Sequence, residues 1–365
     1  MSLTELKKTY WKHAADIDDT VYATKAELNK LSRREICEQR YSRQKLFDHI
    51  SSQRVVVFRD FPLRESMGRF FLHNRSPEES MKSLFSKKET TLTKSGPSQR
   101  RGYKRVHDVV DAWHKNTAIL SANDVFYRDL ELDSDFDCES IGDFSVLREA
   151  PDGIRDIEVA TLLMGTYGCM SDSHADDPDG SNYCIRGRKF WLIWDRQEGS
   201  KKGLEDCEYD EVYSKAHFDI KTFLTLKTSA WFTLSEGQTL FLPGNYTHKV
   251  ITIEKYMGIS NFYVCFSNAL TSLTRWKCHS APNPMVSKDY WGDITQLVIK
   301  QFDKLLKAKR DKKNYWGFYH IPKALRYWET HCSKSEQLQM LECPHFKELI
   351  ERFTFKMGGH HRRDK

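Results

Sequence analysis

Two histidines and one aspartate have the types and spacing needed to hold a metal ion. His174 and Asp176 are two positions apart in the chain. Because residues i and i+2 of a β-strand point to the same face, this pair can offer an imidazole and a carboxylate to one ion. His248 comes just after a Pro243-Gly244 turn, where a neighbouring strand could bring it to the same point. Two histidines and a carboxylate on one face of an octahedron leave three positions open, the arrangement that non-haem Fe(II) oxygenases use.

Other motifs accompany these three residues in a definite order. In chain order they are Phe126-Tyr127-Arg-Asp129, the Gly-rich segment 165–176, Asn182, Gly187-Arg-Lys-Phe-Trp191, Gly237-Gln-Thr-Leu-Phe-Leu-Pro243, His248-Lys-Val250 and the pair Ser260 and Asn261. Together they make residues 120–268 resemble the JmjC family of Fe(II)- and 2-oxoglutarate-dependent oxygenases, within the cupin superfamily, and especially its smaller hydroxylase branch. An H-x-D pair alone arises often by chance, so the resemblance depends on the combination.

The resemblance implies a catalytic site built on Fe(II). His174, Asp176 and His248 would hold the metal, which would bind and activate O2, and 2-oxoglutarate would chelate it through its 2-oxo acid end. The distal carboxylate of 2-oxoglutarate would extend toward Lys189, since a dianion inside a dry barrel needs a fixed cation. Related oxygenases that transfer halide have Ala or Gly at the position of the acidic ligand. Asp176 fills that position here, which favours hydroxylation or oxidative demethylation.

Four further residues are expected near the cosubstrate from the same resemblance. Ser171 and Tyr127 stand where the family places hydroxyl groups. Asn182 and Asn261 are candidate amide partners near the metal. Each of the four could instead be an ordinary packing residue.

The second substrate is expected to be a side chain of a protein or peptide. The flanking helices and a basic loop at 94–107, which has five Lys or Arg and no acid, could frame a long groove. Asp177 and Asp179 would then be either solvated turn residues or acidic contacts to a cationic group of the substrate. A tRNA or small-molecule hydroxylase with the same core is one alternative. A catalytically silent cupin binding module is another, but its expected mark is loss of a metal ligand or of Lys189, and all are present.

The elements that position these residues follow the order α, β, α. Residues 1–120 are predicted to form an N-terminal helical region, with S/T-x-x-E capping boxes at Ser2 and Thr24 and a strand near 54–58 that packs on the barrel. Short β-type runs in residues 121–270 favour an antiparallel sandwich or small barrel, and the resemblance implies a double-stranded β-helix, or jelly roll. Residues 271–365 return to helical periodicity. The expected fold class is α+β, and the C-terminal helices could either form a homodimer interface or pack back on the barrel.

Composition and charge exclude several classes of protein. With 39% hydrophobic and 30% charged residues, the 365-residue chain reads as globular rather than collagen-like or mainly disordered. No run approaches the roughly 18 apolar residues of a membrane span. Lys and Arg (57) exceed Asp and Glu (51) by only 6, which does not argue for nucleic acid. The nine cysteines include no C-x-x-C pair, which predicts reduced thiols in an intracellular protein, cytoplasmic or nuclear, and gives little support to a zinc site among the C-terminal Cys and His residues.

Overall fold

The structure is a computed structural model of the chain. It describes residues 30, 33–62, 79, 92–96, 102–115, 121–126, 139–146, 160–167, 169, 171, 173–204, 219–279, 295–301 and 316–358. Strands occupy the centre of the described chain, and most of the helical residues follow them. The expected α+β class is therefore confirmed.

Ten strands in the described residues form one sheet that is mostly antiparallel. They are β1 Gln39–Arg40, β2 Val56–Arg59, β3 Leu92–Gly96, β4 Gly102–Arg105, β5 Ser121–Phe126, β6 Ala160–Gly165, β7 Asp179–Asp195, β8 Ala230–Ser235, β9 Thr239–Leu242 and β10 Tyr246–Tyr263. Their order is β1-β2-β9-β7-β10-β6-β5-β3-β4, and β8 also pairs with β7. The predicted strand near 54–58 is β2, which pairs antiparallel with β9.

Two long strands, β7 and β10, form the centre of the sheet. They pair from Tyr246 opposite Asp195 to Tyr263 opposite Asp179. Register shifts between Thr252 and Gly258 bend β10 partway along its length. The sequence separates this stretch into two β-type runs, but they form one strand, because the bulges change its direction without a turn. β9 pairs with the first part of β7 and β8 with its last part, so each half of β7 has its own short neighbour.

The sheet separates two apolar clusters. Adjacent residues of β2 alternate between them, as the pleat of a strand requires. The interior cluster consists of Val55, Val57, Leu163, Cys184, Trp191, Ile193, Phe232, Leu234, Leu240, Leu242, Val250 and Tyr256. The outer cluster consists of Leu46, Ile50, Val56, Phe58, Phe61, Ile141, Phe144, Phe241, Tyr263 and Cys265.

The helices with named bounds lie on both sides of the strands in sequence. They are α1 Arg43–Ser51, α2 Val106–Lys115, α3 Glu139–Gly142, α4 Arg196–Lys201, α5 Ile220–Thr225, α6 Ala269–His279, α7 Trp316–His331, α8 Lys334–Leu341 and α9 Pro344–Gly358. Residues 295–301 are also helical. In the part of the chain that the structure describes, no helix is both long and apolar enough to cross a bilayer.

The C-terminal helices pack within the chain. Leu270 and Leu273 of α6, Trp328 of α7 and Phe346 of α9 belong to one buried cluster, together with Val264 just after β10. The ring centroids of Trp328 and Phe346 are 5.5 Å apart. The indole N–H of Trp328 donates to Thr274 Oγ1 at 2.8 Å. These apolar faces are therefore covered by α6 and by the end of the sheet, in agreement with the second of the two arrangements expected for them.

The N-terminal part of the chain differs from its prediction in the segment 94–107. The capping boxes at Ser2 and Thr24 lie outside the described residues. Ser42 is the N-cap of α1, and its hydroxyl accepts from the Lys45 N–H at 3.2 Å. The prediction of a loop at 94–107 is wrong for the residues of this segment that the structure describes, because β3 and β4 pair antiparallel there and α2 begins at Val106. The reason is long-range, because β3 also pairs with β5, a contact that local composition does not reveal.

Candidate metal centre

The three side chains selected from the sequence come together in the fold. One potential ligand atom from each of His174, Asp176 and His248 lies within 4.8 Å of the other two. His248 Nε2 is 3.9 Å from Asp176 Oδ2, and the two imidazole centroids are 4.2 Å apart. In the described part of the chain, no other group of three or more His, Cys, Asp or Glu side chains converges in this way. The cluster can bind a metal ion.

Backbone pairing with the first part of β10 places His174 opposite His248. The His174 N–H donates to the His248 carbonyl at 3.1 Å, and the His248 N–H donates to the His174 carbonyl at 2.8 Å. Further along, the Ser171 N–H donates to the Val250 carbonyl at 2.9 Å. Three residue steps from Ser171 to His174 thus face two steps of β10, which is the geometry of a bulge. Of the two residues of the H-x-D pair, only His174 forms a β-bridge. Asp176 therefore lies in the irregular segment after it rather than in the regular strand that the H-x-D spacing suggested.

The ring of His248 is held in the form that binds a metal. It is 4% exposed, and its Nδ1 lies 3.2 Å from the carbonyl oxygen of Tyr246. A proton on Nδ1 donates to that carbonyl, which leaves the Nε2 lone pair for an ion. Burial lowers the pKa of His248 well below its ordinary value, and the neighbouring His174 adds to this effect. A neutral imidazole is the ligand form, so burial removes the competing proton.

Lys189 lies on the same interior face as His248. Cross-strand pairing sets Lys189 opposite Thr252 and Ile193 opposite His248, and residues two apart on a strand share a face. The Lys189 side chain is 8% exposed, and its ammonium is 4.3 Å from the ring centroid of Tyr256. Its charge is one of the causes that lower the pKa of His248. The buried positive charge of Lys189 therefore lies on the interior face of the sheet, close to the cluster of His174, Asp176 and His248.

Asn182 joins this interior group, and the residue that connects it is Tyr256. Asn182 pairs with Leu240, a member of the interior cluster. Its Oδ1 accepts a hydrogen bond from the Tyr256 hydroxyl, while the Tyr256 ring lies beneath Lys189. Tyr256 is fully buried, and burial raises the pKa of its hydroxyl well above the ordinary value. The sequence motifs did not single out Tyr256, because a Tyr in a β-type run carries no signal of its own.

Two of the other residues expected near the cosubstrate, Asn261 and Ser171, do not join this group. Asn261 pairs with Ser181 on the opposite face of the sheet, and its Nδ2 donates to the Tyr263 hydroxyl at 3.0 Å. The Ser171 hydroxyl accepts from the Val250 N–H at 2.9 Å, so it secures the edge of β10. Tyr127 lies outside the described residues. The structure thus brings Lys189 and Asn182 together and leaves Asn261 on the side of the outer cluster.

Asp179 matches neither of the two alternatives expected for it, whereas Asp177 lies in a bend with its side chain 25% exposed. Asp177 forms an ion pair with Arg196, with 3.2 Å between Oδ1 and Nη1. Asp179 is 0% exposed. Its Oδ1 accepts from the Gly244 N–H and from Asn268 Nδ2, both at 3.1 Å. Burial raises the pKa of Asp179 to about 6, although the hydrogen bond from the Gly244 N–H acts in the other direction.

The donor set of the cluster defines its chemistry. Two neutral imidazoles and one carboxylate suit a divalent first-row metal, and on one face they leave positions for other ligands. The second side chain of interest, Lys189, offers a positive charge to an anionic ligand. Comparison of the chain with models of protein families gives no match, and comparison with curated proteins gives none either.

Proposed function

We propose that this protein is an Fe(II)- and 2-oxoglutarate-dependent oxygenase that hydroxylates, or oxidatively demethylates, a side chain of a protein or peptide. The observation that carries the proposal is the convergence of His174, Asp176 and His248 within 4.8 Å, on the face of the sheet that also buries Lys189. The long strands β7 and β10, which pair with each other over both halves, support a double-stranded β-helix as the core.

The residues of the site fit both Fe(II) and 2-oxoglutarate. A facial pair of imidazoles with a carboxylate suits Fe(II) and leaves room for a chelating cosubstrate. When bound, Fe(II) and 2-oxoglutarate supply O2 activation coupled to decarboxylation. The chain itself orients His248 through the Tyr246 carbonyl and excludes water from an interior lined by Trp191, Phe232 and Val250. Lys189 supplies a buried ammonium group to bind a carboxylate of the cosubstrate. The attraction between the two charges is stronger in the interior than in water.

The test of the metal centre is anaerobic titration with Fe(II), followed by measurement of succinate released from 2-oxoglutarate. We expect the wild type to bind one Fe(II) per chain and His174→Ala to lose both binding and succinate release. Wild type that binds no Fe(II) would contradict the metal centre. Wild type that binds Fe(II) but releases no succinate, with any pool of peptides, RNA or metabolites, would contradict the oxygenase.

The role of Lys189 is tested separately. Lys189→Ala should raise the 2-oxoglutarate concentration needed for half-maximal succinate release, while Fe(II) binding stays near that of the wild type. Lys255→Ala is the matched control, because the Lys255 ammonium also lies over an aromatic ring, that of Trp113 at 4.6 Å. Equal loss of Fe(II) and cosubstrate binding in Lys189→Ala would contradict this role. Mass spectrometry for products with one added oxygen atom then identifies the substrate class.

A further inference from the structure

A buried network joins the two segments of chain that carry the ligands. Asp179 lies three residues after Asp176, and Gly244 lies four residues before His248. The Asp179 carboxylate accepts from the Gly244 N–H at 3.1 Å. A fully buried carboxylate is costly unless its hydrogen bonds are satisfied, so this position has a structural use.

The same two segments touch backbone to backbone. A Cβ added at Gly244 would lie 2.2 Å from the carbonyl oxygen of Asp177 and 2.8 Å from that of Pro178. Distances under 3.0 Å are essentially never found for real Cβ atoms. Only glycine therefore allows the turn before His248 to approach the segment after Asp176 this closely.

The start of α6 holds this contact from a third side. Asn268 Nδ2 donates to Asp179 Oδ1 at 3.1 Å and to the Asp177 carbonyl at 3.2 Å. Ser272 Oγ also donates to the Asp177 carbonyl, at 2.9 Å. The segment 177–179 is thus fixed by side chains that are not members of the His-Asp-His cluster.

We propose that Asp179 is a positioning residue of the metal centre, whose carboxylate ties the segment carrying Asp176 to the turn that precedes His248. This inference rests on the proposed metal centre. Asp176 lies in the segment between the β-bridge at His174 and the start of β7, so the contacts on both sides of it help to set its distance from His248. Loss of groups that orient metal ligands typically lowers metal affinity about 10- to 100-fold.

The test is titration of the full chain with Co(II). Calorimetry measures the affinity, and the absorption bands of the bound ion report its coordination. We expect Asp179→Ala to bind Co(II) about 10- to 100-fold more weakly than the wild type, with altered bands. Asp179→Asn keeps an oxygen that can accept from the Gly244 N–H, so it should restore most of the affinity. Gly244→Ala should weaken binding by separating the two segments, and it serves as a second variant if Asp179→Ala does not fold.

The control is Ser267→Ala. Ser267 is 1% exposed, and its hydroxyl donates to the Ile50 carbonyl at 2.6 Å. Its loss should lower stability without changing Co(II) affinity. Wild-type affinity and bands in folded Asp179→Ala, or in Gly244→Ala, would overturn the positioning role alone. An equal loss of affinity in Ser267→Ala would also overturn it, because the effect would then follow general stability. Failure of the wild type itself to bind Co(II) would instead overturn the metal centre, and the positioning role with it.

Discussion

At the scale of single residues, two buried charged groups of β7 differ in what they contact. Lys189 faces the interior cluster, beside the ring of Tyr256. Asp179 pairs with Tyr263 of the outer cluster and is hydrogen-bonded to Gly244 and Asn268. The first lies beside an aromatic ring on the interior face, whereas the second connects two segments of the chain through hydrogen bonds.

The buried carboxyl of Asp179 predicts how stability depends on pH. Its pKa is about 6 in the folded chain, against an ordinary value of 3.8. Between these values the folded protein keeps a proton that the unfolded chain has lost, so stability falls as pH rises through this window. The fall is on the order of 3 kcal/mol, since one pKa unit corresponds to about 1.4 kcal/mol.

Urea denaturation of the metal-free protein at about pH 4 and about pH 7 measures the unfolding free energy at each pH. The wild type is compared with Asp179→Asn, whose side chain at this position cannot titrate. The change in unfolding free energy between the two pH values should be more negative in the wild type than in the variant. The same change in both proteins would show that Asp179 does not titrate in this range.

At the scale of elements, the close contact between β7 and β10 depends on one glycine. Gly187 has a φ of +80°, and a Cβ there would lie 2.0 Å from the Lys255 carbonyl oxygen of β10. This contact lies beside the bulged part of β10. It allows the two strands to stay paired on both sides of the bulges, including the part that carries Lys189 and His248.

Gly187→Ala should destabilise the protein more than Gly203→Ala does. Both glycines have a φ of +80°, but a Cβ at Gly203 would meet no atom within 4 Å. The control thus reports backbone strain alone, which costs roughly 1–2 kcal/mol. Gly187→Ala adds a collision with backbone that cannot move without shifting β10. Chemical denaturation of both variants measures the difference, and equal losses of stability would contradict the close contact.

At the scale of the whole molecule, the C-terminal helices and the sheet share a core. Val264 and Phe266 follow β10 and lie in the same cluster as Trp328 of α7 and Leu349 of α9. α6 lies between the two regions: its first residues contact the segment after Asp176, and its later ones contact α7. We therefore expect the described helices and strands to unfold together.

Trp328→Ala should lower the unfolding free energy by about 3–5 kcal/mol, as loss of a buried Trp usually does. Trp328→Phe should cost less, because it keeps an aromatic ring beside Phe346, although it loses part of the indole volume and the hydrogen bond to Thr274. Thermal unfolding followed by far-UV circular dichroism should show a single transition at a lower temperature. Two separate transitions in the wild type would contradict a shared core.

What the sequence could predict is local chemistry. His174 and Asp176 are neighbours in the chain, Lys189 follows in a recognisable G-x-K-x-W motif, and His248 follows a Pro-Gly turn. Residue type and spacing suffice for these, because each is carried by a few adjacent positions. The short β-type runs and the C-terminal helical periodicity are local signals of the same kind, and the structure confirms strands and helices there.

What only the tertiary structure decided are features that depend on pairing between distant segments. A shift of one residue moves a side chain to the other face of a sheet, so the sequence could not show that Asn182 faces the interior and Asn261 does not. The burial of Asp179 requires Gly244 and Asn268, which lie 65 and 89 residues away. The sequence alone thus determined which residues could bind a metal, while long-range pairing determined how they are held, because the faces of a strand are assigned by its partners.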